Sequence, residues 1–494
     1  MRLGRILLAA VVVVLPGRGV LGQGAGGLGA AGSLDQERLQ AIDAFVASEM
    51  VREHVPGLEL GIYSRGQILL AKGYGESNVE LGVPVKPETV FQSGSMGKQF
   101  TAAAIMMLVE EGRVSLDDSI TKYFPDAPAT WKPVLVKNLL SHTSGLSEYE
   151  SDERTGPNGP FYLRLDFTED ELVKKIEALP IEWAPGEKWA YRNTNYLLLG
   201  VVIHKVTGKQ YWDFLAERIF EPLGMTSTRL ISERDIVPNR AAGYELESGQ
   251  LKNQSWVSPT FNSTADGALY FNVRDLAKWD GALYGTRLLK QSSLDEMWTV
   301  YRLNNGKPNP GEYGFGWMID QQNGHKRIEH SGQWQGFTSH IARYPDDGIT
   351  VVALTNLAEG EPGLIAHVVA GIADPALKMA KLSAIPDDQP AIAASLGKVL
   401  GQLAAGEDIR PECTAELAAR ITPEAAKGAQ ERLSKLWPGG RLTLVKRSPD
   451  PEQAGLLTSI FRLSKGTEGA LIYFGEDKEG KVSTLGMERN GEYE

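Results

Sequence analysis

"VFQSGSMGKQFTAAAIMMLVEEG", residues 90–112, is the stretch on which the reading of this chain turns. Its middle, Thr101–Val109, is apolar on every face of a helix, and such a helix is buried in a core. Gly112 stops it. Small residues crowd its head, where Ser95 and Lys98 stand three positions apart. Positions i and i+3 share a helix face, so hydroxyl and amine can meet in the first turn. A serine hydroxyl is a poor nucleophile until a base takes its proton. A lysine can be that base when burial and nearby positive charge depress its pKa. The N–H of Ser95, at a helix N-terminus, can also donate to an oxyanion. Taken alone, S-x-x-K is weak, and a helix-capping serine is the commoner reading.

Around this helix the pattern is that of a sheet with helices. Leu34 to His54 reads as an amphipathic helix. Leu58–Ser64 and Gln67–Gly73 read as strands joined by the two-residue turn Arg65-Gly66. Helical stretches and Pro/Gly-rich loops alternate from about 115 to 310. Strands return at Ile328–His330, Phe337–Tyr344 and Ile349–Thr355, the last two around "PDDG", a strong turn sequence. Strands at both ends predict an antiparallel sheet closed by terminal strands, with a helical block on one face. Ala, Pro and Asp dominate around 374–392, which predicts a linker over 376–392. It separates a main domain, 34–375, from a small α+β domain, 393–494, with two helices and a meander of strands.

The chain has 494 residues and a formal net charge of −11, which argues against nucleic acid and anionic membrane surfaces as partners. Arg2, Arg5 and the apolar run Ile6–Leu15 predict a secretory signal over residues 1–22, too short to span a bilayer, and hence an exported, periplasmic or extracellular protein. One cysteine, Cys413, allows no intrachain disulfide. One cysteine and seven scattered histidines give a structural zinc site little support, and no metal ligands are assigned. The near-match to G-x-S-x-G at Ser93–Gly97 lacks the first glycine and the βα series of a nucleophile elbow.

Three further segments make the signal specific. "APGEKWAYRNTNYLLLG" contains Tyr191-Arg192-Asn193, "EHSGQWQGF" contains His330-Ser331-Gly332, and "LLSHTSGL" precedes both. With "PLGMTST", "EYGFGWMI" and "VVALTN", in this order over roughly residues 40–375, the chain resembles the serine β-lactamase and penicillin-binding superfamily. Within it, the match is to the class C β-lactamase, D,D-peptidase and family VIII esterase group. The resemblance implies that Ser95 is acylated and that Lys98 assists its deprotonation. It implies Tyr191 as general base and then acid, as a tyrosinate stabilised by cations. Asn193 would bind the substrate amide and hold Lys98. Substrate would lie along the strand of His330 and Gly332, and the N–H of Gln333 would complete an oxyanion hole with that of Ser95.

The expected activity is therefore acyl-enzyme hydrolysis of an amide or ester: a D-amino-acid peptide, an ester or a β-lactam. Neither metal nor organic cofactor is needed, and the partners are a small molecule or peptide, a cell-wall peptide included. A receptor that acylates without useful turnover is the alternative. One departure stands out. His330 occupies the place where β-lactamases usually carry the lysine of K-T-G. A lysine is a permanent cation, whereas a histidine is largely neutral above its free pKa of about 6.5. It can still donate a hydrogen bond to Tyr191 or substrate, but strong β-lactamase activity is not expected. His142 reads as a structural loop residue, and Trp183 and Trp334 as cleft lining or core.

Overall fold

The computed structural model describes residues 33–247, 249–379, 382–421, 423–449, 457–466 and 468–489. The proposed signal segment lies outside them. Among the described residues no helix is long and apolar enough to cross a membrane. The chain divides into two compact units between residues 379 and 380.

The first unit is built on a seven-stranded sheet. Helix α1 (Gln36–Glu53) is capped by the Asp35 side chain, which accepts from the Arg38 N–H. Strands β1 (Gly57–Ser64) and β2 (Gln67–Asn78) form the expected hairpin. Arg65 and Gly66 both have positive φ, 48° and 81°, as a type I′ turn requires. The short strand β3 (Val83–Pro84) lies outside β2. The other half of the sheet comes from β4 (Met318–Gln322), β5 (His325–Trp334), β6 (Phe337–Tyr344) and β7 (Ile349–Thr355). β1 pairs antiparallel with β7, from Leu58 opposite Thr355 to Ser64 opposite Ile349. The order is β3-β2-β1-β7-β6-β5-β4, so strands from the two ends of the unit meet at its centre.

The sequence places helices on one face of this sheet; the structure covers both. α1 and α4 (Pro362–Ala373) close one face, burying Ile42, Val46, Ile365 and Val369 against Leu58, Leu60, Val351 and Ala353. The opposite face carries Ile341, Val352 and Leu354 against the large helical core. The reason is visible in the strands. β7 is buried at every position, so an apolar layer is needed on each side.

At the centre of that core lies α2 (Lys98–Glu110), preceded by a 3-10 turn, Gly94–Gly97. Residues Lys98 to Leu108 are all buried. Its polar groups are satisfied inside. Trp279 Nε1 donates to Gln99 Oε1 at 2.6 Å, and Thr101 Oγ1 donates to the Ala265 carbonyl at 2.7 Å. α3 (Asn193–Thr207) packs beside α2 and is capped by Gly208 in the left-handed region.

The second unit holds α5 (Pro390–Ala405), α6 (Ala415–Arg420) and α7 (Pro423–Leu436), followed by a four-stranded antiparallel meander. Its strands are β8 (Arg441–Pro449), β9 (Leu457–Lys465), β10 (Glu468–Glu476) and β11 (Val482–Arg489). Leu396, Leu400 and Leu433 pack on Phe461, Ile472 and Phe474 to make its own core. The fold is thus α+β: a large antiparallel sheet with helices, and a separate C-terminal four-stranded sheet.

The sheet meets the 3-10 turn through bare backbone. A Cβ added to Gly332 in β5 would lie 2.0 Å from the Ser93 carbonyl oxygen and 2.8 Å from the Met96 nitrogen. Gly332→Ala is therefore expected to lower the stability of this unit by about 1–3 kcal/mol through overpacking. Urea unfolding followed by tryptophan fluorescence measures it, and an unchanged midpoint would show that the turn and strand can separate freely.

Candidate active site

Ser95 lies within the 3-10 turn and so is not the cap of α2. Its neighbour Ser93 stands at the N-cap position and makes no side-chain cap. The turn rotates Ser95 toward solvent, so it is part-exposed while the residues on either side are buried. Its oxygen accepts from Lys98 Nζ at 2.9 Å.

Lys98 is fully buried and spends its three donors inside the protein. Besides Ser95, Nζ donates to Asn193 Oδ1 at 2.7 Å and to the Asp266 carbonyl at 2.6 Å. Burial lowers its pKa to about 8; Asp266, Glu150 and Glu148 act in the opposite direction and keep it from falling further.

Asn193 is fixed from both ends. Its Nδ2 donates to Glu150 Oε2 at 2.6 Å, which sets the amide oxygen toward Lys98. Its backbone N–H, the first of α3, donates to Glu148 Oε2 at 2.5 Å. A carboxylate at that place answers the unpaired N–H groups and positive end of a helix. Burial raises the pKa of both carboxyls, that of Glu150 to about 8. Glu148, Glu150 and Asp266 were not picked out from the sequence. Two of them follow "SHTSGL" directly, in "SEYE", but nothing local shows that this loop folds onto the start of α3. Asp266 is further fixed by Tyr149, whose hydroxyl donates to Oδ2 at 2.7 Å.

Tyr191 differs from its expected ionisation. Its ring lies under Lys98, with Nζ 4.9 Å from the centroid. Its hydroxyl is buried and makes no hydrogen bond of normal geometry. Burial pushes its pKa well above 10; Ser95 is placed to favour the phenolate, but Tyr196 and the carboxylates Asp266 and Glu148 add to the rise. The resting residue is a neutral phenol. One buried ammonium hemmed by carboxylates does not supply the cationic field a tyrosinate needs.

His330 also departs from expectation. Nδ1 lies 2.6 Å from the Ser331 carbonyl, which can only accept, so that nitrogen carries the proton. Nε2 then accepts from the Tyr313 hydroxyl at 2.9 Å. Both nitrogens are engaged within the protein, and neither bonds Tyr191, whose ring centre is 6.2 Å away. Burial, aided by the charge of Lys98, lowers its pKa to about 3. The ring is a neutral strut for the strand.

The strand brings a second amide to the serine. Gly94 has φ +49° and lies so close to β5 that an added Cβ would be 2.3 Å from the Gln333 nitrogen. The same crossing places Gly332 on the Ser93 carbonyl. The N–H groups of Ser95 and Gln333 thus belong to two backbone segments in direct contact. The Gln333 side chain is turned away and donates to the Ala358 carbonyl at 2.7 Å.

His142 lies beneath the site, ring centres 4.3, 5.0 and 4.7 Å from Tyr191, Tyr196 and Tyr313. Its Nδ1 faces the Arg192 N–H and Asn195 Nδ2, both at 3.2 Å. It packs among the three tyrosines. Trp334 is core: it is buried, and its Nε1 donates to Asn262 at 2.7 Å. Trp183 supports the guanidinium of Arg192, which also pairs with Glu182.

A serine hydroxyl paired with a buried amine, beside a phenol and a second backbone segment, can serve acyl transfer. The family model described as Beta-lactamase matches residues 41–372. "Penicillin-binding protein 4*" of Bacillus subtilis is 31% identical over 312 residues, 60% of this chain and 66% of that protein. The chain thus spans just under two thirds of that relative's length. The D-stereospecific amidohydrolase of a Streptomyces species is 27% identical, with a TM-score of 0.56 over 68% of this chain and 98% of the other. The octameric penicillin-binding protein homologue of Pyrococcus abyssi shares the fold over 92% of this chain and 98% of its own, at 23% identity and a TM-score of 0.61. The chain belongs to the Beta-lactamase family of serine hydrolases.

Proposed function

We propose that the chain hydrolyses an amide of a D-configured amino acid or short peptide through an acyl-enzyme on Ser95. The observation that carries this is the 2.9 Å contact between Ser95 Oγ and a buried Lys98 whose pKa is lowered to about 8. On losing one proton, Lys98 keeps two N–H bonds to Asn193 and Asp266 and turns its lone pair to Ser95. It takes the hydroxyl proton as Oγ attacks the carbonyl carbon. The oxyanion sits between the N–H groups of Ser95 and Gln333. The leaving amine receives a proton from the Tyr191 hydroxyl, which recovers it from Lys98. Water, deprotonated by the same path, then releases the acyl group.

The choice of substrate rests on charge and on likeness. His330 is neutral where a fixed cation would hold a substrate carboxylate, and the buried ammonium of Lys98 already faces the charge of Asp266. Such a site disfavours a carboxylate beside the scissile bond and suits a neutral or cationic acyl part. A D-stereospecific amidohydrolase is among the similar solved structures. D-amino-acid amides should accordingly be turned over faster than β-lactams or peptides ending in a free carboxylate, in a panel read by initial rate. Stoichiometric labelling without turnover on every member would replace the hydrolase with a receptor.

Ser95→Ala is expected to abolish covalent labelling by a fluorophosphonate while leaving the circular dichroism spectrum unchanged. Tyr191→Phe should lower kcat by about 10²–10⁴ with little change in KM, the loss of one proton donor. The rate of acylation should rise with pH through about 8 as Lys98 loses its proton. The charge of Asp266 favours the ammonium, so Asp266→Asn should move this midpoint to lower pH. A midpoint that stays put, or moves up, would remove Lys98 as the titrating base.

A further inference from the structure

The strand that serves the serine has a second face. Glu329 and His330 are consecutive in β5 and point to opposite sides of the sheet. On the side covered by α4, Glu329 meets His340 of β6 and His367 of α4. These three residues are scattered in the sequence and take no part in the acyl-transfer site.

We propose that Glu329, His340 and His367 form a binding site for a zinc-type divalent cation, through Glu329 Oε2 and the Nε2 atoms of both histidines. Glu329 Oε2 lies 2.6 Å from His367 Nε2 and 3.1 Å from His340 Nε2. The ligand atoms of all three residues lie within 4.8 Å of one another. Ligands about 2.0–2.2 Å from a tetrahedral zinc ion stand roughly 3.4 Å apart, so a slight opening of this triangle admits the ion. Two imidazoles and a carboxylate select zinc or cobalt over magnesium or calcium, which prefer oxygen.

The surrounding charge favours a cation. Arg327 clamps Asp320 through Nε at 2.8 Å and Nη2 at 2.5 Å, and Nη1 donates to Gln322 at 2.9 Å. Its contact with Glu329, at 3.0 Å, uses the Nε already shared with Asp320. One guanidinium therefore faces two carboxyl groups. Glu329 and His340 are 6% and 5% exposed, so this imbalance is buried. In the metal-free protein the Glu329 carboxylate accepts from both Nε2 atoms, so ligation exchanges these two hydrogen bonds for the ion and moves the proton of each ring to Nδ1. The Nδ1 of His340 faces Gly363, where even a methyl group would come within 3.2 Å, so the missing side chain leaves the ring its place. The His367 side chain, 18% exposed, gives the ion a way in and solvent the fourth position.

Such an ion would join β5, β6 and α4. The test uses the untagged full chain, dialysed against a chelator and titrated with zinc by calorimetry, with thermal unfolding followed in parallel. Binding of one equivalent and a rise in Tm are expected. Cobalt should give the intense visible bands of a four-coordinate ion. His367→Asn, at a part-exposed position, should weaken binding tenfold or more and remove the rise in Tm, with metal-free unfolding little changed. Glu329→Gln should also weaken binding. No saturable binding to the unaltered chain would overturn the proposal. So would binding that is equally tight in both variants, or an octahedral cobalt spectrum.

Discussion

A fully buried ammonium group organises this candidate site. Lys98 Nζ sits at the start of a helix buried on all sides, and its three hydrogen bonds reach three separate segments: its own turn, the head of α3 and the loop at Asp266. Burying that charge is costly unless every donor is met. The fold therefore has to bring Asn193 and the Asp266 carbonyl to it, and it holds each in turn with Glu150, Glu148 and Tyr149. The same burial makes the amine a weak enough acid-base pair to exchange a proton near neutral pH. Positioning and activation have one cause.

The second constraint is the approach of strand to turn. β5 reaches the serine turn only because Gly332 and Gly94 have no side chains there. Ser339 Oγ donates to the Ser93 carbonyl at 2.6 Å and ties the next strand to the same turn. His330, with both nitrogens engaged, stiffens the strand without adding charge. The strand beside Ser95 thus carries a neutral ring at this position.

Much of this was legible in local sequence. The pair Ser95 and Lys98, the turn Arg65-Gly66 and the strands around "PDDG" are short-range patterns, and each is found where the spacing puts it. What depends on three-dimensional surroundings was not legible. The sequence shows Tyr191 and His330 but not the burial that keeps the first protonated or the Tyr313 hydroxyl that occupies the second. Glu148, Glu150 and Asp266 read as ordinary loop acids until the loops are folded. The second helical layer was missed because α1 and α4 lie at opposite ends of the unit, and only the sheet brings them together. Glu329, His340 and His367, far apart in the sequence, meet for the same reason.

The pairing of β1 with β7 has a consequence for the order in which the unit can assemble. The central pair of the sheet joins residues 58–64 to 349–355, and the Ser93–Ser339 contact spans 246 positions. Closing such long loops costs entropy before any contact repays it, and folds dominated by such pairings form slowly. While the chain is still emerging, β1 and β2 have no neighbour on their inner edge, and the serine turn has no strand to supply the second amide. Ser95 is made early, but β5 can reach its turn only after about 230 further residues have been added. A chain synthesised from its N-terminus thus completes the surroundings of Ser95 only late in its own synthesis.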